Sequence, residues 1–210
     1  KTMLSANSLK NLPLRERKKR MTYSRIVDCA GELFVANGYQ TTTVDAIAEG
    51  AEISKPTFFN YFSTKHAVLQ SMVERMDNEF IASIADELQK PLSTEQRLCN
   101  LMTNTADYME SHIPLMRVII VEGLGGLAKP DEASNRLSKL NNAMAELLAK
   151  GREQGDVDSQ VDIDLQVQIV VGSYLYSLMN ALTHSPNDLG KQLIKMVAQV
   201  ALMLRARTEQ

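Results

Sequence analysis

Apolar residues recur three and four positions apart along most of this chain, a spacing that predicts helices. After residue 64 the pattern divides into segments bounded by proline, glycine or capping residues. These segments predict helices at about 65–89, 95–111, 113–124, 132–154, 162–183 and 187–205. The first would be roughly 37 Å long at 1.5 Å per residue, enough to connect a head to a body as one rod. The sequence therefore predicts an all-α protein.

Two shorter amphipathic helices with a tight turn between them precede these segments. The first begins after Thr42 or Thr43, because either side chain can cap the free amides of a first helical turn. The second begins at the N-cap residue Ser54 and carries Pro56 in its first turn, where no backbone donor is lost. The residues spaced for burial are Val44, Ile47, Ala48, Phe58 and Phe62. Residues 50–53 form a turn of the length that a helix-turn-helix requires.

The second helix of this motif, predicted to continue to Phe62, directs four polar side chains outward: Lys55, Thr57, Asn60 and Tyr61. They are donors and small groups suited to base edges and phosphates, and no carboxylate lies among them. We therefore expect Lys55, Thr57 and Asn60 to contact bases. Spacing alone leaves a second interpretation open, in which the motif is a small helical hairpin inside some other all-α domain.

A run of five cations comes just before the motif: Arg15, Arg17, Lys18, Lys19 and Arg20. Residues 1–65 contain ten Lys or Arg against six Asp or Glu, a balance of +4. Because the whole chain carries −2, the other residues carry −6. A cationic head on an acidic body is the electrostatic signature of a nucleic-acid-binding protein. A basic run near a terminus can also be a solvated tail, but this one adjoins a helix-turn-helix.

Residues 25–69 resemble the DNA-binding head of the TetR family of bacterial transcriptional regulators, followed by the start of that family's long connecting helix. The positions that carry the resemblance are Ala30, Leu33, Phe34, Gly38, Tyr39, Thr43, Val44, Ile47, Ala48, Ser54, Thr57, Phe59, Phe62 and Lys65. The resemblance implies a three-helix DNA-binding head with a larger helical body for ligand binding and dimerisation. We expect a basic arm at 1–19, the head at 20–80 with its helix-turn-helix at 43–62, and the body at 81–210.

The same resemblance implies a cytoplasmic regulator, most simply a repressor, that binds a near-palindromic double-stranded DNA operator as a homodimer. A small apolar or amphipathic effector would release it, and no cofactor or catalytic residue is expected. Thr43, Tyr61 and Lys65 should hold phosphates, and Arg20 and Ser54 complete the expected DNA-binding set. An all-α DNA-binding regulator without a small-molecule effector is the alternative.

Two residues depart from the family pattern. Phe59 stands where the family usually has tyrosine, so a hydroxyl that could donate to phosphate is missing, and Tyr61 is a candidate to replace it. Glu52 stands in the turn where glycine is common, and glycine tolerates a positive φ at no steric cost. Either the turn has a different shape in this chain or Glu52 is strained.

The predicted helix at 162–183 is apolar on several faces, so it must be covered on several sides. The body's core can cover one face, and pairing of the last two helices with the same two of a second copy would cover another. We expect this interface to contain Leu175, Leu178, Leu182, Leu193, Val197, Val200 and Leu204. In the alternative, a monomer buries every apolar face within its own chain.

A ligand pocket in the body is implied more by the resemblance than by spacing. Many small-molecule sites are lined by flexible apolar side chains together with a few polar groups. The candidates are Tyr108, Met109, His112, Met116, Glu122, Tyr174 and Asn180.

Residues 118–128 offer a rival interpretation as part of a dinucleotide-binding enzyme. Four strand-like residues, Val118–Val121, precede a run from Gly123 to Ala128 that fits the pattern G-x-G-x-x-[GA], and Glu146 follows about 20 residues later. That fold needs further strands in a parallel sheet, and neither flank predicts one. We therefore interpret the glycines as the end of one helix and its turn into the next.

The remaining candidates for chemistry are sparse. Cys29 and Cys99 are too few and too far apart for a disulfide framework, and we expect small core residues in a reducing compartment. His66, His112 and His184 lack the paired spacing of a zinc site. No segment resembles a signal peptide or a membrane span.

Overall fold

The computed structural model describes residues 13–124, 130–184 and 188–205, and every regular element among them is a helix. The helices are α1 (Leu14–Asn37), α2 (Val44–Gly50), α3 (Lys55–Phe59), α4 (Lys65–Leu88), α5 (Thr94–Glu110), α6 (Ile113–Leu124), α7 (Pro130–Gln154), α8 (Ile163–His184) and α9 (Leu189–Leu204). The prediction of an all-α fold is confirmed. The chain forms two compact units, and the division along the chain falls between Val73 and Glu74, within α4. The expected head at 20–80 and body at 81–210 stay predictions.

The head is built on α1, which buries one face along its C-terminal half. Its buried residues include Ile26, Ala30 and Phe34, spaced four apart. The helix begins at Leu14 directly after Pro13, so the expected basic arm at 1–19 is helical from residue 14. Proline suits the start of a helix because its fixed φ is already helical. Much of the basic run therefore lies on the first turns of α1.

The predicted caps of the helix-turn-helix are confirmed, with one choice resolved. Thr43 accepts a hydrogen bond from the Ala46 amide at 3.1 Å and caps α2. Thr42 is instead buried, and its hydroxyl donates to the Gly38 carbonyl at 2.8 Å. Ser54 caps α3 by accepting from the Thr57 amide at 3.2 Å. The α3 helix ends at Phe59, so Asn60 and Tyr61 lie in the turn after it rather than on a helix that continues to Phe62.

The body packs α9 against α5 and α8, and α7 against α8. The start of α5 is held by its own capping box, formed by Ser93 and Gln96. Asp156 adds a contact from a distant part of the chain, because its carboxylate accepts from the Thr94 amide at 2.7 Å and the Thr94 hydroxyl at 2.8 Å. A side chain at Gly151 would place its Cβ 2.2 Å from that hydroxyl, so glycine is required for this approach.

A buried charged cluster joins the end of α4 to α5 and α7. Arg97 is almost fully buried and donates to the Glu87 carbonyl at 3.2 Å, the Lys90 carbonyl at 3.0 Å and Gln154 Oε1 at 2.7 Å. The buried Glu87 carboxylate accepts from Lys90 Nζ and from Asn100 Nδ2. Burial alone would raise the pKa of Glu87, but hydrogen bonds from Lys90 and Asn100 and the charges of Lys90 and Arg97 outweigh it and lower that pKa.

The residues predicted for a dimer interface require a correction. Six of the seven are buried within a single chain, namely Leu178, Leu182, Leu193, Val197, Val200 and Leu204, and the seventh, Leu175, is half-buried. The six buried side chains lie where α8 and α9 pack within the body and have little surface left for a partner, whereas Leu175 keeps part of its side chain exposed. The apolar side chains that α8 and α9 leave exposed are Leu165, Tyr176, Met179, Ile194, Leu202 and Met203.

The strand-like residues of the enzyme interpretation are helical. Val118–Val121 lie inside α6, which ends at Leu124. No strand precedes the glycines, as a dinucleotide fold would require. Gly125–Ala128, the rest of that motif, lies outside the described residues. Within the described parts of the chain, none of the helices has the length and apolarity needed to cross a membrane.

Candidate nucleic-acid interface

The α3 helix and the turn after it place several exposed side chains on the surface of the head. Phe58 is fully buried and anchors the helix, while Lys55 and Asn60 are exposed. Thr57 and Tyr61 are half-buried. The predicted base-reading residues Lys55, Thr57 and Asn60 thus belong to one short surface, which we call the recognition segment (residues 54–61).

Lys55 has a carboxylate partner that the sequence did not reveal. Its Nζ lies 2.8 Å from Oδ1 and 3.0 Å from Oδ2 of Asp45, a residue of α2. Both side chains are more than half exposed, so this ion pair contributes little stability. It holds the lysine in place without burying it. The pair can therefore exchange for an acceptor on a ligand at small cost.

The other polar residues of this surface are fixed by local hydrogen bonds. The hydroxyls of Ser54 and Thr57 lie 2.7 Å apart, and Thr43 and Ser54 each cap a helix. The Thr43 hydroxyl accepts at its cap, so its proton is available to a further acceptor such as a phosphate, whereas Ser54 and Thr57 share a bond in which either hydroxyl can donate. Arg20 is exposed on α1 and pairs with Glu16 one turn earlier at 3.3 Å.

Lys65 has a role that corrects its assignment as a phosphate contact. Its Nζ donates to the carbonyls of Tyr39, Gln40 and Thr42, the last two at 3.2 and 2.8 Å. The same ammonium lies 4.4 Å from the centroid of the Tyr39 ring. A lysine has three protons to donate, and these carbonyls accept all of them. Lys65 therefore ties the turn between α1 and α2 to the start of α4.

The structure answers the question that the sequence raised about Glu52. Its φ is +54°, in the left-handed region that favours glycine, and it is the one residue other than glycine with a positive φ among those described. Its carboxylate lies 3.8 Å from the Arg25 guanidinium, with both side chains well exposed. Glu52 thus carries backbone strain that this weak pairing does little to offset.

Two features of this surface escaped sequence reasoning. Asp45 could have been noticed as an acid on the neighbouring helix, but its pairing with Lys55 depends on the angle between α2 and α3. Phe59 was noted only for its missing hydroxyl, whereas its ring is 49% exposed. It is the large apolar side chain that the segment of residues 54–61 leaves exposed, next to Asn60 and four residues after Lys55.

The residues predicted for a ligand pocket differ in burial and in their contacts. Met109 and Met116 are fully buried, Tyr108 is exposed and stacks on His112 with ring centroids 4.8 Å apart, and Glu122 is half-buried. Asn180 instead donates to Gln192 Oε1 at 3.3 Å.

Tyr174 is the member of this set with the most enclosed aromatic surface. Its ring stacks on Phe80 of α4 at 5.3 Å between centroids. Burial raises the pKa of Tyr174, the Asp77 carboxylate raises it further, and the Arg136 guanidinium opposes them. Arg136 of α7 donates to both carboxylate oxygens of Asp77, one of them at 3.0 Å. Three helices of the body thus converge beside this phenol.

A cavity of about 270 Å³ lies in another part of the body. It is lined by residues 93–95 at the start of α5, by 155–157 and by the end of α9. None of the seven predicted pocket residues lines it. The pocket around Tyr174 therefore stays a prediction.

Comparisons with known proteins agree with this architecture. The family model described as "Bacterial regulatory proteins, tetR family" matches residues 26–72, which contain the helix-turn-helix. An uncharacterized HTH-type transcriptional regulator of Bacillus subtilis, YdeS, is 28% identical over 162 residues, which cover 75% of this chain and 78% of that protein.

Solved structures extend the likeness to the body. The fatty acid degradation regulator FadR from Bacillus halodurans superposes with a TM-score of 0.74 at 22% identity, over 89% of this chain and 97% of its own. Thermus thermophilus FadR, solved in complex with lauroyl-CoA, gives a TM-score of 0.69 at 25% identity over the same shares. That protein is a TetR family transcriptional repressor. Proteins of these kinds are transcriptional regulators and not enzymes.

Proposed function

Because this chain is a DNA-binding transcriptional regulator of the TetR family, we propose that it represses its target genes by binding a near-palindromic operator as a homodimer. We further propose that a small amphipathic effector releases it and that it acts in the cytoplasm, where its DNA lies. The observation that carries the DNA assignment is the recognition segment. Its exposed residues are Ser54, Lys55, Pro56, Phe59 and Asn60, none of them acidic, and the carboxylate that pairs with Lys55, Asp45, lies on another helix.

Within this proposal, Lys55 and Asn60 read base edges and Thr57 supports them. Lysine pairs with the acceptors of guanine and asparagine with adenine in the major groove. Lys55 exchanges the Asp45 carboxylate for the base when the head docks. Thr43, Ser54, Tyr61 and Arg20 hold phosphates and fix the register of the head on the duplex.

The test is selection of preferred sequences from random double-stranded DNA with the full chain, followed by binding titrations of variants. A dimer should select two inverted half-sites about 34–36 Å apart, or a multiple of that spacing. Lys55→Ala should lose discrimination at one position of each half-site, by about 1–3 kcal/mol. Lys139→Ala, which removes an exposed lysine from the body, is the matched control and should change neither affinity nor preference. Failure to enrich any sequence would contradict the proposal.

Exposed apolar side chains on α8 and α9 support the homodimer. Tyr176 is 71% exposed and Met179 follows it by three residues, while Leu202 and Met203 are 57% and 64% exposed. The two helices pack against each other, so both can meet the same helices of a second copy. Large apolar side chains grouped in solvent mark an interaction surface. This face replaces the buried residues that the sequence suggested.

An acyl thioester such as lauroyl-CoA is the first effector to test. The FadR of Thermus thermophilus was solved with that molecule at 25% identity to this chain. The body of this chain buries four methionines, Met102, Met109, Met116 and Met144. Their flexible, unbranched side chains can rearrange to admit an alkyl chain without a preformed cavity. An opening lined by these side chains would also lie among the helices that hold the predicted pocket residues.

Titration of the operator complex with lauroyl-CoA tests the effector, with free coenzyme A and laurate as controls. Release by the thioester alone would support the proposal, and native mass spectrometry should then show one or two bound molecules per dimer. Release by none of the three, with no retained small molecule, would favour the alternative of a regulator without an effector. A reporter gene placed behind the selected operator separates repression from activation.

A further inference from the structure

Phe59 is an apolar side chain that the head leaves in solvent at its recognition segment. Its ring is 49% exposed, although its neighbour Phe58 is fully buried. The two rings meet edge-on with centroids 5.6 Å apart, so Phe58 covers one side of Phe59 and leaves the other open. Leaving a phenyl group in water costs free energy in proportion to the exposed area.

The position of Phe59 limits what can cover it. It follows Lys55 by four residues, so the two side chains lie on the same side of the segment. Asn60, the next residue, is exposed as well. A ligand that meets Lys55 and Asn60 must therefore also meet Phe59. Phenylalanine has no hydroxyl, so this ring cannot donate a hydrogen bond to a phosphate.

The major groove of DNA presents one apolar group at its base edges, the C5-methyl of thymine. We propose that Phe59 packs on a thymine methyl group in each half-site of the operator and so determines specificity at that base pair. This inference rests on the proposed binding of operator DNA by the recognition segment. It assigns to Phe59 a base contact in place of the phosphate contact that a tyrosine hydroxyl could make.

The experiment replaces each thymidine of the selected operator, one at a time, by deoxyuridine. This change removes the methyl group and leaves every hydrogen-bonding atom in place. Fluorescence anisotropy at one salt concentration gives the dissociation constant of each duplex. For the wild type, one thymidine per half-site should weaken binding about fourfold on demethylation, the value expected for one buried methyl group.

The Phe59→Ala variant identifies the residue that reads the methyl group. It should bind the original operator more weakly, and demethylation at that position should have no further effect on its affinity. Phe59→Leu, which keeps an apolar side chain, should retain part of the sensitivity. Val35→Ala is the matched control, because it removes an exposed apolar side chain from the same head. It should keep the fourfold response.

Several outcomes would overturn the inference. If every demethylation affected wild type and Phe59→Ala equally, the ring would not contact a methyl group. If Phe59→Tyr bound more tightly and no position responded to demethylation, the side chain would face a phosphate. If no DNA sequence were enriched at the outset, the proposed operator binding itself would fail. Because Phe59 is half exposed, its variants should fold, and Phe59→Ala should lower the thermal midpoint only modestly through the lost contact with Phe58.

Discussion

The head and the body differ in how far apart along the chain the residues of a functional surface lie. In the head, the recognition segment comprises eight consecutive residues, 54–61, held by a cap at Ser54 and an anchor at Phe58. In the body, the exposed apolar face combines α8 with α9, and the surroundings of Tyr174 combine α4, α7 and α8. A contiguous surface depends on local rules, whereas a composite one depends on which face of each helix turns inward.

The largest effect should come from the composite face of the body. Leu202→Glu with Met203→Glu places two charges on side chains that a single chain exposes, so the fold should survive. A dimer gains affinity because its second head binds intramolecularly, a gain of about 10²–10⁴-fold. Operator affinity should fall by that factor although the head is unchanged. Light scattering and gel shifts measure the two consequences.

Two comparison variants sharpen this result. Leu137→Glu charges an exposed apolar residue of α7 and should leave both the dimer and operator affinity intact. Val197→Glu with Val200→Glu charges residues buried within one chain, and it should unfold the body rather than release folded monomers. A wild-type monomer with high operator affinity would remove the basis for the dimer.

The second prediction concerns the buried cluster of the body and its response to acid. Glu87→Gln should cost about 2 kcal/mol of stability at neutral pH, because it removes the buried carboxylate that accepts from Lys90 and Asn100. The pKa of Glu87 is lowered on folding from its ordinary value of 4.5. Its contribution is therefore complete above about that value and is lost as the pH falls through the lower, folded pKa.

Denaturation measured from pH 3 to pH 7 tests the direction of this pH dependence of stability. The wild-type body should lose stability below about pH 4.5, whereas Glu87→Gln should show a flatter profile. Glu153→Gln is the matched control: a hydrogen bond from Lys150 lowers the pKa of Glu153 too, but this pair is exposed and contributes little stability. Its profile should follow the wild type. Equal pH slopes for wild type and Glu87→Gln would contradict the assignment.

The sequence anticipated most of the head because its signals are local. Thr43 and Ser54 cap helices through the amides of residues three positions later, and the burial of Phe58 and Phe62 follows from their spacing. Lys65 was misassigned because its carbonyl partners lie 23 to 26 residues earlier. No periodicity records that contact, which depends on how α1 and α4 pack.

In the body, periodicity located the helices but not the direction of each apolar face. The α8 helix is apolar on several sides, so both Leu178, which is buried, and Met179, which is exposed, fit the pattern of an interface. The choice between them depends on the packing of α8 against α7 and α9. The same limit applies to the pocket, because Met109 and Tyr108 are neighbours in sequence with opposite burial.

The third prediction separates structure from DNA contact within the head. Lys65→Ala should lower the head's stability by about 2 kcal/mol, since it removes the charged donor to the carbonyls of Tyr39, Gln40 and Thr42. It should not change the slope of log affinity against log salt. Arg20→Ala should do the reverse, flattening that slope by about 0.9 per lost phosphate contact while leaving stability unchanged.

Hydrogen exchange across residues 38–43 measures the first effect, and titrations between 50 and 200 mM salt measure the second. Faster exchange in the head, with unchanged exchange in the body, would show that Lys65→Ala destabilises the head alone. A flatter salt slope for Lys65→Ala, with normal exchange, would restore Lys65 as a phosphate contact and contradict its structural role.

The smallest effect should come from the turn between α2 and α3, just before the recognition segment. Glu52 has a φ of +54°, which costs about 1 kcal/mol for a residue with a β-carbon. Glu52→Gly removes this strain, but glycine also increases the entropy of the unfolded chain by a similar amount. The variant should therefore be as stable as the wild type or more stable, by up to about 1 kcal/mol. Glu52→Ala keeps the β-carbon and removes the carboxylate, so it measures the loss of the exposed Arg25 contact alone. If thermal denaturation found the glycine variant clearly less stable than the alanine variant, the left-handed turn would be unstrained.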